Sequence, residues 1–121
     1  MTEDDAKEML ALLASVFRMR RPRLVWSTRT RRGWAYPTLG YIKIGPRCRQ
    51  GGEASLVHEV AHLLAHKEYG RRRRGWRTDW HGPHFVDCLA RVAEAWYGNT
   101  DRYPWHTEYR SIAKVAMGMC Y

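Results

Sequence analysis

The chain has 121 residues, 45% of them hydrophobic, enough for one compact domain with a modest core and too few for a second. It carries 21 Lys and Arg against 12 Asp and Glu, a formal net charge of +9, and its 12% aromatic content excludes a disordered or low-complexity chain. The longest apolar runs, Leu10 to Ala14 and Val60 to Ala65, fall far short of the roughly 20 residues a membrane span needs, so no membrane partner is expected.

The N-terminus, Met-Thr-Glu-Asp-Asp, is acidic where a secretory signal carries its positive end. Thr2 can cap a helix whose first turn holds Glu3, Asp4 and Asp5, with Met9, Leu10, Leu12, Leu13, Val16 and Phe17 as its apolar stripe and Pro22 as its stop. Two β-prone stretches follow, Arg23 to Thr30 and Trp34 to Ile44. Arg31-Arg32-Gly33 between them reads as a hairpin turn, so a small antiparallel sheet is expected. Gly45-Pro46 and Gly51-Gly52 break the chain before a second helix from Glu53 to Tyr69, with Leu56, Val57, Val60, Ala61, Leu63 and Leu64 on its buried side. After Gly70 come four arginines and a Trp-rich loop. Gly82-Pro83 then opens a third helix that runs through Val86, Leu89, Val92, Ala93 and Trp96 to Gly98. A polar, aromatic loop leads to a last helix from about Thr107 to Met117. The order α, β, β, α, α, α describes an α+β domain. Cys48, Cys88 and Cys120 form no CxxC pair, which argues against a disulfide framework and for a reducing cytoplasm, with Cys48 and Cys88 read as buried free thiols. Trp26, Trp34, Trp96 and Trp105 read as packing residues of the core or its rim.

His58-Glu59-Val60-Ala61-His62 fits HExxH in the middle of the second helix. Residues four apart rise about 6 Å and share one face, which lets two imidazoles reach a single Zn²⁺ while Glu59 stands beside it as general base. A catalytic zinc needs a third protein ligand and an open fourth position. His66 lies about 12 Å along the axis from His58, too far for one ion. His81 and His84 remain the strongest pair of candidates, ahead of His106, Asp87 and Glu94.

His58-Glu59-x-x-His62 followed by His81-Gly82-Pro83-His84-Phe85 resembles the SprT-like metalloprotease family, which includes Spartan-type proteases that digest proteins crosslinked to DNA. The matching region runs from about Tyr41 to Trp96. The resemblance implies a zincin-like domain, an HExxH helix followed by an HGxxF helix, and His81 as third ligand beside His58 and His62. It implies a zinc endopeptidase in which Glu59 activates a zinc-bound water, with protein or peptide as substrate. The Cys-rich zinc ribbon that often follows the catalytic part in bacterial members has no counterpart here, because no CxxC occurs.

The strand Tyr41 to Ile44 is where zincin-type sheets offer an edge to an extended substrate. Tyr69, Arg77 and His84 are alternatives for steadying the oxyanion. Arg71, Arg72, Arg73, Arg74 and Arg77, with Trp76 and Trp80 interleaved, have the composition of a single-stranded DNA contact close to the metal. The expected activity is therefore hydrolysis of DNA-associated or DNA-crosslinked protein. Two alternatives stand beside it: a zinc peptidase for one regulator protein without DNA, and a nucleic-acid-binding protein whose zinc is only structural.

Overall fold

A computed structural model describes residues 1–48, 51–70 and 81–119. Within them the order is α1 (Glu3–Val16), β1 (Arg23–Trp26), β2 (Trp34–Tyr36), β3 (Tyr41–Ile44), α2 (Gly51–Tyr69), α3 (Pro83–Tyr97) and α4 (Arg110–Met119). Two short 3-10 turns, Thr100–Arg102 and Trp105–Thr107, link α3 to α4. The α+β class is as expected, and no described helix is long and apolar enough to cross a membrane.

Thr2 caps α1 as expected. Its hydroxyl accepts from the Asp5 amide at 3.1 Å while the Asp5 carboxylate accepts from the Thr2 amide, so two amides that the helix cannot satisfy are both paired. Ala6, Met9, Leu10, Leu13 and Ala14 form the buried stripe, at the three- and four-residue spacing of one helical face. Leu12 and Val16 lie four apart on the opposite face and are 52% and 61% exposed, so the expected stripe was too wide. The helix ends well before Pro22. Lys67 of α2 donates to the Phe17 carbonyl at 2.7 Å and holds that end against the central helix.

The sheet differs from the expected antiparallel hairpin. Its order is β1-β3-β2, with β1 parallel to β3 and β2 antiparallel to β3. The tight turn is Pro37 to Gly40 rather than Arg31 to Gly33: Gly40 takes φ +73°, and its amide donates to the Tyr36 carbonyl at 2.8 Å. The β-prone run from Trp34 to Ile44 thus contains two strands and a turn. The Arg31-Arg32-Gly33 segment is released to carry the chain across the sheet, and Tyr41–Ile44 becomes the central strand, not an edge.

α2 packs against α1, α3, β2 and β3. Residues 54–62 are buried without interruption, because neighbouring helices and strands cover this part of the helix. Leu56, Val57, Val60, Ala61 and Leu64 meet Ile42 and Ile44 from the sheet and Phe85, Val86, Leu89 and Val92 from α3. Leu63 is only partly buried. α3 starts at Pro83 and stops at Gly98, whose φ of 79° gives the left-handed cap expected there. Cys48 and Cys88 are buried free thiols.

Where β3 leaves the sheet, a Cβ on Gly45 would sit 1.6 Å from the Ser27 carbonyl oxygen. Backbone cannot yield as a flexible side chain can. Gly45→Ala is expected to lower unfolding free energy by about 1–3 kcal/mol, the usual cost of overpacking, measured by urea denaturation.

Candidate metal centre

α2 delivers three buried ionisable side chains into the interior: His58, Glu59 and His62 are 5%, 7% and 3% exposed. His81 reaches them from the turn just before α3. Each of the three imidazoles offers one ligand atom, and these atoms lie within 4.8 Å of one another, close enough to bind one metal ion. The Nε2 atoms of His62 and His81 are 3.2 Å apart. Of the two third-ligand candidates, the geometry selects His81. His84 instead packs at a tilt against Tyr69, with ring centres 4.2 Å apart, and is not part of the cluster. Neither Asp87 nor Glu94 joins it.

Phe85 is the apolar wall of the cluster. Its ring centre lies 5.0, 4.2 and 5.1 Å from those of His58, His62 and His81. That contact explains why an aromatic residue four positions after His81 belongs with the histidines: it falls on the inward side of the first turn of α3 and fixes the rings by packing.

His58 has a partner fifty residues away. Its Nδ1–H donates to Glu108 Oε2 at 2.7 Å, and the Tyr103 hydroxyl donates to the same oxygen at 2.8 Å. Glu108 and Tyr103 are both buried. The bond fixes the tautomer of His58 and leaves Nε2 as its ligand atom, the arrangement by which a carboxylate orients a metal-binding imidazole. Sequence spacing gave no signal for this pair, since Glu108 belongs to no local motif and its role depends on where the loop after α3 returns.

The electrostatics favour neutral imidazoles at His62 and His81 and the charged form at His58. Burial, reinforced by the charges of His58 and His81, holds the His62 pKa well below its ordinary value. Burial and the His58 charge pull His81 down to about 4. Burial also opposes charge on His58, but the Glu108 hydrogen bond and the Glu59 and Glu108 carboxylates outweigh it and move that pKa up. Burial raises Glu59 to about 7, against the opposing pull of His58 and with Glu108 adding to the rise. A carboxylate poised there is able to exchange protons near neutral pH.

The cluster opens into a cleft of about 650 Å³. It is also lined by the β1–β2 connection with the start of β2, including Arg31, Arg32, Gly33 and Trp34, and by Tyr109. A Cβ on Gly33 would lie 2.9 Å from Glu59 Oε2, so this loop passes directly over the carboxylate. Arg32 Nη2 donates to the Tyr109 hydroxyl at 3.0 Å, and the Tyr109 ring stacks on His81 with centres 5.3 Å apart. Tyr69 and His84, two of the residues expected to meet an oxyanion, do not line the cleft. Arg71, Arg72, Arg73, Arg74, Trp76 and Arg77 lie outside the described residues. No protein-family model matches the chain, and neither a curated protein nor a solved structure is significantly similar to it.

Glu108→Gln keeps the shape but weakens the acceptor for His58, and is expected to lower metal affinity about 10–100-fold by competitive chelator titration. His84→Ala is expected to leave that affinity at the parent value.

Proposed function

We propose that this chain is a zinc-dependent endopeptidase of the SprT-like type, with a zincin-like arrangement of helix, sheet and third ligand. The observation that carries the reading is the convergence of His58, His62 and His81 within 4.8 Å at the edge of a cleft, with Glu59 from the same helix beside them. The donor set fits zinc: three neutral imidazoles are a familiar catalytic set, and nitrogens at about 2.0–2.1 Å in a tetrahedral site stand about 3.3 Å apart, close to the 3.2 Å between His62 and His81. When bound, zinc would polarise a peptide carbonyl and lower the pKa of a water.

The chain's own residues supply the rest. Glu59 accepts a proton from the attacking water at a carboxylate oxygen and returns it to the departing amine. Gly33 leaves room for that carboxylate, and the Arg32 guanidinium beside it favours its charged form. The Tyr109 hydroxyl, held by Arg32 in the cleft lining, is the donor we assign to the developing oxyanion. An extended substrate would add to the outer edge of β2, whose Trp34 and Ala35 line the cleft, since β3 is paired on both sides.

The substrate class we favour is DNA-associated or DNA-crosslinked protein, supported by the motif resemblance and the net charge of +9. The two other readings are a peptidase for a single regulator and a nucleic-acid binder with structural zinc. Glu59 argues against the latter, because a closed structural site has no use for a base facing a cleft.

Incubation of the zinc-loaded protein with casein or a DNA-binding protein, with and without single-stranded DNA, tests the reading. Glu59→Gln is expected to retain zinc and lose about 10²–10⁴-fold in cleavage rate. A zinc-loaded Glu59→Gln protein as active as the parent contradicts the mechanism. Gly33→Ala displaces the same carboxylate without removing it and is expected to lower the rate about 10–100-fold at unchanged zinc content.

A further inference from the structure

Between Glu8 and Glu53 the sequence holds nine Arg and one Lys and not one Asp or Glu. This segment contains the whole sheet. The register sorts its side chains by face, because directly paired residues share one. Ile42 and Ile44 are fully buried, so their partners Leu24, Ala35 and Trp26 face inward with them. The alternate set faces out. One row reads Arg23, Tyr41, Tyr36 and the next Val25, Lys43, Trp34.

The outward rows form a basic and aromatic surface. The rings of Tyr36 and Tyr41 stack with centres 4.3 Å apart and planes 21° apart. The Arg23 guanidinium carbon lies 5.4 Å from the centre of Tyr41, and that of Arg32 lies 5.4 Å from the centre of Trp34. None of the six outward residues is buried. Trp34, expected among the packing residues, is 46% exposed and stands where this face meets the cleft.

An indole left half open to water forgoes burial that a sheet residue normally gains, which favours a ligand that covers it. A strand of nucleic acid asks for two things in alternation: flat apolar rings for its bases and cations for its phosphates. This face offers both and carries no carboxylate. An acidic peptide would use the cations alone, and a duplex would hide the base faces that the rings could stack on.

We propose that the outward face of the β1-β3-β2 sheet binds single-stranded nucleic acid, with Trp34 and the Tyr36–Tyr41 pair as stacking platforms and Arg23, Arg32 and Lys43 as phosphate contacts. None of these residues belongs to the Arg71 to Arg74 run. The surface needs neither Glu59 nor a metal, so it stands or falls apart from the hydrolytic reading. Because Trp34 also lines the cleft, a strand held here brings whatever is attached to it beside the three histidines.

Fluorescence anisotropy with a fluorescein-labelled oligothymidylate of about 15 nucleotides, titrated on the full chain at several salt concentrations, tests the proposal. Trp34→Ala and Tyr41→Ala are each expected to weaken binding about 5–100-fold with the salt slope unchanged. Trp34→Phe and Tyr41→Phe, which keep a ring, are expected to stay within a few-fold of the parent and to separate stacking from any loss of fold. Arg23→Ser with Lys43→Ser is expected to flatten the slope of log K against log salt by about 1.4, at about 0.7 per phosphate contact. Glu59→Gln and chelation are expected to change nothing, and a uridine oligoribonucleotide of equal length decides between DNA and RNA as the natural strand. Three results would overturn the proposal: unaltered binding in both alanine variants, loss of binding only when Arg71 to Arg74 are all replaced by Ser, or tighter binding of a duplex of the same length. Displacement of the oligonucleotide by polyglutamate as readily from the alanine variants as from the parent would assign the face to acidic protein instead.

Discussion

The hydrogen bond between His58 and Glu108 joins the central helix to the segment that returns after α3, and the polar interior depends on it. Three ionisable side chains of α2 are enclosed among apolar ones, a costly arrangement unless each has a partner. Glu108 supplies that partner to His58 at 2.7 Å, and Tyr103 takes up the same carboxylate oxygen. With His58 oriented, His62 and His81 close on it across the face of Phe85, and Glu59 is left turned toward the cleft under Gly33. The fold thus concentrates its buried polarity at one place and encloses it with α3, the sheet and the C-terminal loop.

That concentration has electrostatic consequences beyond packing. Histidines whose pKa is pulled down present lone pairs rather than protons at neutral pH. A carboxylate whose pKa burial lifts to about 7 is matched to proton exchange there. The same burial would be a liability in a purely structural helix, where leucine would fill these positions more stably. Arg31, Arg32 and Arg47 line the cleft together with Glu59. Outward of the cleft the sheet continues the positive surface.

Much of this was legible in the sequence because the signals are local. Thr2 with Asp5, Pro83 with Gly98, and the apolar spacing around His58 each act within one helix, and the helices fall within a few residues of expectation. His81 required a turn between helices; spacing left His84 beside it as a candidate, and only the resemblance of His81-Gly82-Pro83-His84-Phe85 to a family motif favoured His81. The sheet was misread because Arg31-Arg32-Gly33 and Pro37 to Gly40 both resemble turns, and only pairing over long sequence separation decides which one closes the hairpin. A parallel β1–β3 pair leaves no local trace. Glu108, Tyr103 and Tyr109 were missed for the same reason: their partners are residues brought near by the return of the chain, not by spacing. Trp34 was read as packing because composition does not say which face of a strand looks outward.

We propose that His58, His62 and His81 form one three-imidazole metal site with an open position. Zinc K-edge X-ray absorption on the protein loaded with one equivalent of zinc measures this directly. The expected spectrum shows three imidazole nitrogens and one further light atom at about 2.0–2.1 Å, with no sulfur at about 2.3 Å. A thiolate scatterer would contradict the proposal, as would a fourth imidazole closing the site or a spectrum unchanged in His81→Ala.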